Sequence, residues 1–122
     1  MNGISIVSDT NPLIYLLNGS KKAASYLDGK QIWISVISEL ELFGKKGLTK
    51  AEKREIDFLI ENCFVAGLNT EIKSITKNLL QSASIKLPDA IIAATAMYLD
   101  LPLLTFDSDF ARVPQLKLFI LE

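Results

Sequence analysis

Short β-branched or apolar runs alternate with helix-length segments along the whole chain, and this alternation constrains the fold more than any other feature. Ile4-Ser5-Ile6-Val7, Gln31-Ile32-Trp33-Ile34, Cys63-Phe64-Val65-Ala66, Leu103-Leu104-Thr105-Phe106 and Leu118-Phe119-Ile120-Leu121 read as strands. Between them the pattern predicts helices. One opens at Asn11 and Pro12 and runs to about Leu17, and a second covers Lys21 to Leu27. A third starts at Ser38 and ends at the turn Gly44 to Gly47. Thr49 caps a charged fourth helix to about Glu61, with Ile56, Leu59 and Ile60 on one face. Thr70 to Ser84 and Pro88 to Leu99 complete the set. Strands separated by helices of this size call for a parallel sheet covered on both faces. Right-handed crossovers then give a three-layer α/β/α fold with a central, mainly parallel sheet. With 122 residues and neither linker nor internal repeat, the expectation is a single domain over 1–122. In such folds ligands bind outside the carboxyl ends of the strands.

Composition narrows the chemistry available there. The chain has no histidine, which removes His-based nucleophilic sites and the usual zinc sites. Its one cysteine, Cys63, allows no internal disulfide and fits a reducing cytoplasm. The longest apolar stretch, Ala90 to Leu99, is too short for a bilayer, and no basic segment introduces an apolar leader. The expectation is a cytoplasmic protein with no membrane partner. A net charge of −1 gives no global attraction to polyanions, so nucleic acid would need a metal ion or a local basic patch.

Four segments carry acids at the expected active edge. Asp9 and Asn11 follow the first strand, and either serves as a helix cap. Ser38 and Glu41 follow the second with the S-x-x-E spacing of a capping box, which puts Glu41 at the head of its helix. Glu39 is turned about 200° from Glu41 around that helix. Asp89 stands in the first turn of an almost wholly apolar helix, where the dipole welcomes an anion. Asp107 and Asp109 follow the fourth strand, in a D-x-D that also suits a turn. Taken singly, each acid is better explained by capping. Taken together they lie at one edge, which capping does not require and a hard cation does. Mg²⁺ and Mn²⁺ choose carboxylate oxygens and need neither His nor Cys.

These segments resemble the PIN-domain family of metal-dependent ribonucleases, and within it the VapC-type toxins of toxin–antitoxin modules. Asp9-Thr10-Asn11 is similar to that family's first acid and the polar pair after it. Ser38-Glu39-Leu40-Glu41-Leu42 resembles the second-acid segment, with Glu41 as the acid. Leu87-Pro88-Asp89-Ala90-Ile91-Ile92-Ala93-Ala94-Thr95-Ala96 is the most specific match and makes Asp89 the third acid. Leu104 to Phe110 resembles the last motif, giving Asp107 with Asp109 in support and Thr105 as the polar strand residue beside the site. The resemblance implies Asp9, Glu41, Asp89 and Asp107 as catalytic acids, with Asp9, Asp89 and Asp107 holding Mg²⁺ or Mn²⁺. Thr10, Asn11, Thr105 and Asp109 would support them. It further implies endonucleolytic cleavage of RNA, a cognate antitoxin partner and a homodimer. Where many relatives carry Arg or Lys and an Asn in the last motif, this chain has Phe106 and Asp107.

Lys45, Lys46, Lys50 and Arg54 cluster around the middle helices. They read either as a solvated helix surface or as contacts to RNA phosphates. Two other classes stay open. A phosphoacceptor receiver domain has this size, but it usually carries adjacent acids after its first strand, where Asp9 stands alone. A catalytically silent PIN-like binding module would normally have lost an acid, and none is missing.

Overall fold

The computed structural model describes residues 4–121. Five strands and six helices follow one another as β1 (Ser5–Ser8), α1 (Thr10–Leu17), α2 (Lys21–Leu27), β2 (Gln31–Ser35), α3 (Val36–Leu42), α4 (Lys50–Glu61), β3 (Phe64–Ala66), α5 (Thr70–Ser82), α6 (Leu87–Leu99), β4 (Leu103–Thr105) and β5 (Leu118–Ile120). A short 3₁₀ turn, Ser108–Arg112, lies between β4 and β5. The sheet order is β3-β2-β1-β4-β5, and every pairing is parallel. The α/β/α expectation holds.

Alternation within the strands builds the two sides of the sheet. Val7 and Leu103 belong to one apolar core with Ile72, Leu79, Ile92 and Phe110, supplied by α5, α6 and the 3₁₀ turn. Their neighbours Ile6 and Leu104 belong to the other, with Leu13, Leu27, Ile34 and Ile56 from α1, α2, β2 and α4. Helix α6 explains its own position. Ala90 to Ala96 are all buried, and the small alanines let the helix lie close to the sheet. Helix α4 is held at its start by a complete capping box: Thr49 N–H donates to Glu52 Oε1 at 3.0 Å, and Glu52 N–H to Thr49 Oγ1 at 3.0 Å. Trp33 is half-buried and stacks on Phe64 of the edge strand, with ring centroids 4.9 Å apart.

The strand order reverses at β1. From there the chain builds outward through β2 and β3, then returns across the sheet to add β4 and β5 on the other side. The carboxyl ends of β1 and β4 therefore flank the topological switch point, where a crevice forms because the flanking connections leave in opposite directions.

One local expectation fails. The S-x-x-E pattern placed the start of α3 at Ser38, but the helix begins at Val36 and its cap is Ser35, whose hydroxyl accepts from Ile37 N–H at 3.0 Å. Strand β2 runs directly into the helix without a loop, so the first of two cap-competent serines takes the role. Glu41 is thus next to the last residue of α3 rather than at its head.

A carboxylate site at the switch point

Asp9 leaves the end of β1 and caps α1. Its Oδ1 accepts from Thr10 N–H at 2.8 Å. Its Oδ2 accepts from the Thr105 hydroxyl at 2.8 Å, across the β1–β4 junction. The same Thr105 oxygen accepts from Asp107 N–H at 2.9 Å, so one buried hydroxyl ties the first acid to the last motif. Asp107 Oδ1 in turn accepts from Asp109 N–H at 2.8 Å, which caps the 3₁₀ turn. Asp9 and Asp107 therefore cap with one oxygen while a second group, Asp9 Oδ2 or Asp107 N–H, bonds Thr105.

Glu41 enters from the other side through Thr10. The Thr10 hydroxyl lies 2.9 Å from Ser38 Oγ and 2.5 Å from Glu41 Oε1. It has one proton, and the carboxylate can only accept, so Thr10 donates to Glu41 and Ser38 donates to Thr10. Ser38 and Glu41 are three residues apart, on one face of α3. Their spacing serves this contact to α1, not a capping box. Glu39 is half-buried and stands outside the network among the described residues, as does the exposed Asn11.

Burial and mutual repulsion decide the ionisation of these acids. Asp9 is 6% exposed. Loss of solvent raises its pKa above the usual carboxylate value, and Glu41 and Asp107 raise it further, against the lowering by the Thr105 and Thr10 hydrogen bonds. The Asp89 carboxyl is pushed up to about 6, first by burial and then by Asp9, Asp107 and Glu41, with Lys86 the opposing charge. The repelling acids and burial outweigh the favourable α6 terminus. Asp89 therefore lies within the field of all three other acids. Glu39 is not among the charges acting on it.

A cavity of about 330 Å³ opens beside this network, lined by Lys86, Asp89, Asp107, Asp109, Phe110 and Arg112 among others. Glu41 opens instead on a neighbouring groove shared with Ile14, Lys45 and Glu52. Among the described residues no three acidic or sulfur side chains are drawn into a tight ligand cluster. The acids share a field across the switch point rather than a closed cage. Of the basic residues expected to meet phosphate, Lys45 pairs with Glu52 at 3.5 Å. Lys46 and Lys50 are exposed, and Arg54 turns toward an apolar groove with Leu16, Phe58 and Leu59.

Lys86 and Arg112 were not singled out from the sequence as site residues. Only Arg112 carried a local signal, three residues after Asp109, with which it pairs; the place of Lys86 beside the cavity depends on tertiary packing.

The chain is an all-parallel α/β protein with acids along the switch-point edge of its sheet, and its sequence gives the family. The PIN domain profile matches residues 6–116, so the chain belongs to the PIN domain family. It is similar to a chain of a toxin–antitoxin complex from Klebsiella pneumoniae, with 32% identity and a TM-score of 0.79 over 89% of this chain and 92% of that one. It is similar to a chain of VapBC-1 from nontypeable Haemophilus influenzae, at 26% identity and a TM-score of 0.77 over 96% and 98% of the two chains. A chain of VapBC2 from Rickettsia felis, bound there to a DNA fragment from their promoter, shares the fold: 19% identity and a TM-score of 0.80 over 98% and 100%. No curated protein sequence gives a significant match. Among the described residues no helix is long and apolar enough to cross a membrane.

Proposed function

We propose that the protein is a Mg²⁺- or Mn²⁺-dependent endoribonuclease, the toxin of a type II toxin–antitoxin pair acting in the cytoplasm. The observation that carries this reading is Asp89, half-buried at the switch point in the combined field of Asp9, Glu41 and Asp107. A half-buried acid whose charge is opposed by three others across one edge is an arrangement that a divalent cation relieves. The donor set is oxygen only, carboxylates and hydroxyls, which suits a hard cation. Asp9, Asp89 and Asp107 would hold it. Such an ion would polarise the phosphodiester and lower the pKa of its bound water.

The chain's own residues do the positioning. Thr105 fixes both oxygen direction at Asp9 and the backbone at Asp107 through two bonds to one hydroxyl. Thr10 holds Glu41, an exposed side chain that would otherwise sample many rotamers, toward the site. Ser38 is fully buried and donates to Thr10, whose own proton goes to the accept-only Glu41 carboxylate. Asp109 supports Asp107 through its N–H. Lys45 shares the groove of Glu41 and, with Lys46 and Lys50, offers charge to a strand leaving on that side.

Similarity to a toxin–antitoxin complex chain supports a cognate antitoxin. Exposed apolar side chains, Phe58 at 69% and Leu40 at 63% among them, supply surface for assembly, and we expect a homodimer. Light scattering that finds only monomer at micromolar concentrations would count against the dimer. The nuclease reading is tested with labelled RNA on a denaturing gel. Internal cleavage should appear with Mg²⁺ or Mn²⁺ and vanish in EDTA and in Asp89→Asn. Equal cleavage in EDTA would refute the metal-dependent mechanism. A correctly folded protein that cleaves no RNA with either metal would return it to the binding-module class.

A further inference from the structure

We infer that Lys86 and Arg112 form a two-pronged phosphate clamp that seats the RNA backbone in the cavity beside Asp89 and Asp107. The inference rests on the nuclease reading and deepens it. The two cations come from separate elements, Lys86 from the residue before α6 and Arg112 from the end of the 3₁₀ turn, yet they line one cavity with the acids. At about 330 Å³ the cavity is within the size range of ligand pockets.

Neither cation has a strong structural task. Lys86 occupies the N-cap position of α6 without making a side-chain cap bond, and among the described residues no carboxylate lies within ion-pair distance of its ammonium. Arg112 pairs with Asp109 through one guanidinium nitrogen at 3.5 Å, with both side chains more than half exposed. A long, single-contact pair in solvent contributes little to stability and leaves the other guanidinium donors free. The arrangement holds a cation in place without consuming it.

Charge balance gives the clamp its purpose. The cavity carries one more acid than base, so alone it repels a polyanion. A divalent cation at the acids turns that balance positive. Lys86 and Arg112 then attract backbone phosphates beside the bond to be cut, a positioning role that neutral residues there could not fill.

The test is binding of a fluorescent single-stranded 12-nucleotide RNA to the Glu41→Gln protein, which keeps the three metal-holding acids, in Mg²⁺, followed by anisotropy from 50 to 200 mM salt. Lys86→Gln and Arg112→Gln should each flatten the slope of log affinity against log salt by about 0.7, and the double variant by about twice that. That corresponds to roughly a 2.6-fold smaller loss of affinity over this salt range for each contact removed. Lys86→Arg and Arg112→Lys should restore most of the slope. Lys117→Gln is the control. It removes the same charge at the opposite end of the sheet, where Lys117 pairs with Asp100 at 2.9 Å, and should leave the slope unchanged. In the otherwise wild-type enzyme, Lys86→Gln and Arg112→Gln should raise KM several-fold with kcat nearly intact. Unchanged slopes, or an equal change in Lys117→Gln, would overturn the clamp. If slopes respond as expected while Asp89→Asn still cleaves RNA, the clamp stands and the assignment of the acids falls.

Discussion

Removing the charge of Asp89 should stabilise the protein while abolishing its activity, and the gain should depend on pH in a defined direction. The folded state holds the Asp89 carboxyl at about 6, against 3.8 for an ordinary aspartate. Between those values the folded protein binds more protons than the unfolded chain, so stability falls as pH rises. The stabilising protonated form is fully present below about pH 4 and lost above about pH 6. Taken at face value the gap is worth about 3 kcal/mol. Asp89 is only half-buried, so solvent screening reduces this to about 1 kcal/mol. Asp89→Asn, which cannot ionise, should then raise the melting temperature in EDTA by roughly 3–6 °C at pH 7.5. At pH 4 the two proteins should melt nearly together, because Asp89 is protonated there. Circular dichroism melts at the two pH values read this directly. Saturating Mg²⁺ should reverse the order at pH 7.5: the wild type gains about 2.7 kcal/mol at a hundredfold excess over Kd, and the variant gains less. A variant that is less stable at pH 7.5, or equally shifted at both pH values, would refute the argument and make Asp89 a structural acid.

Two further substitutions probe the hydrogen-bond network, and a third, outside it, is the control. Thr105→Val keeps the shape of a fully buried side chain but removes the donor to Asp9 and the acceptor for Asp107 N–H; we expect a loss of about 1–3 kcal/mol in urea unfolding, with reduced cleavage. Unchanged stability would mean that water replaces the hydroxyl. Glu41→Gln should cut cleavage strongly with little effect on stability, since the residue is exposed, whereas Glu39→Gln should leave cleavage nearly intact; the reverse result in a gel assay would reassign the second acid.

Much of the fold was legible because its determinants are local. Val7 and Ile6, or Leu103 and Leu104, announce strands buried on both faces by consecutive apolar side chains. Thr49 and Glu52 mark the start of α4 by residues that bond each other within one turn. The start of α3 was not legible, because Ser35 and Ser38 are equally competent caps and the choice falls to the length of β2. The same limit applies at the site. Asp9, Asp89 and Asp107 could be placed at this edge of the sheet because strand ends and helix starts are readable from sequence. The reach of Glu41 through Thr10 could not be read that way, since it depends on how α1 packs against α3. Lys86 and Arg112 line one cavity because α6 and the 3₁₀ turn adjoin in space.

The central claim is that these carboxylates bind a divalent cation together. Titration of the protein with Mn²⁺, with free ion read by electron paramagnetic resonance, tests it without any RNA. The account predicts saturable binding of one or two ions per chain, displaced by Mg²⁺ and strongly weakened in both Asp9→Asn and Asp89→Asn. Absence of saturable binding up to millimolar Mn²⁺, or identical binding in all three proteins, would contradict it.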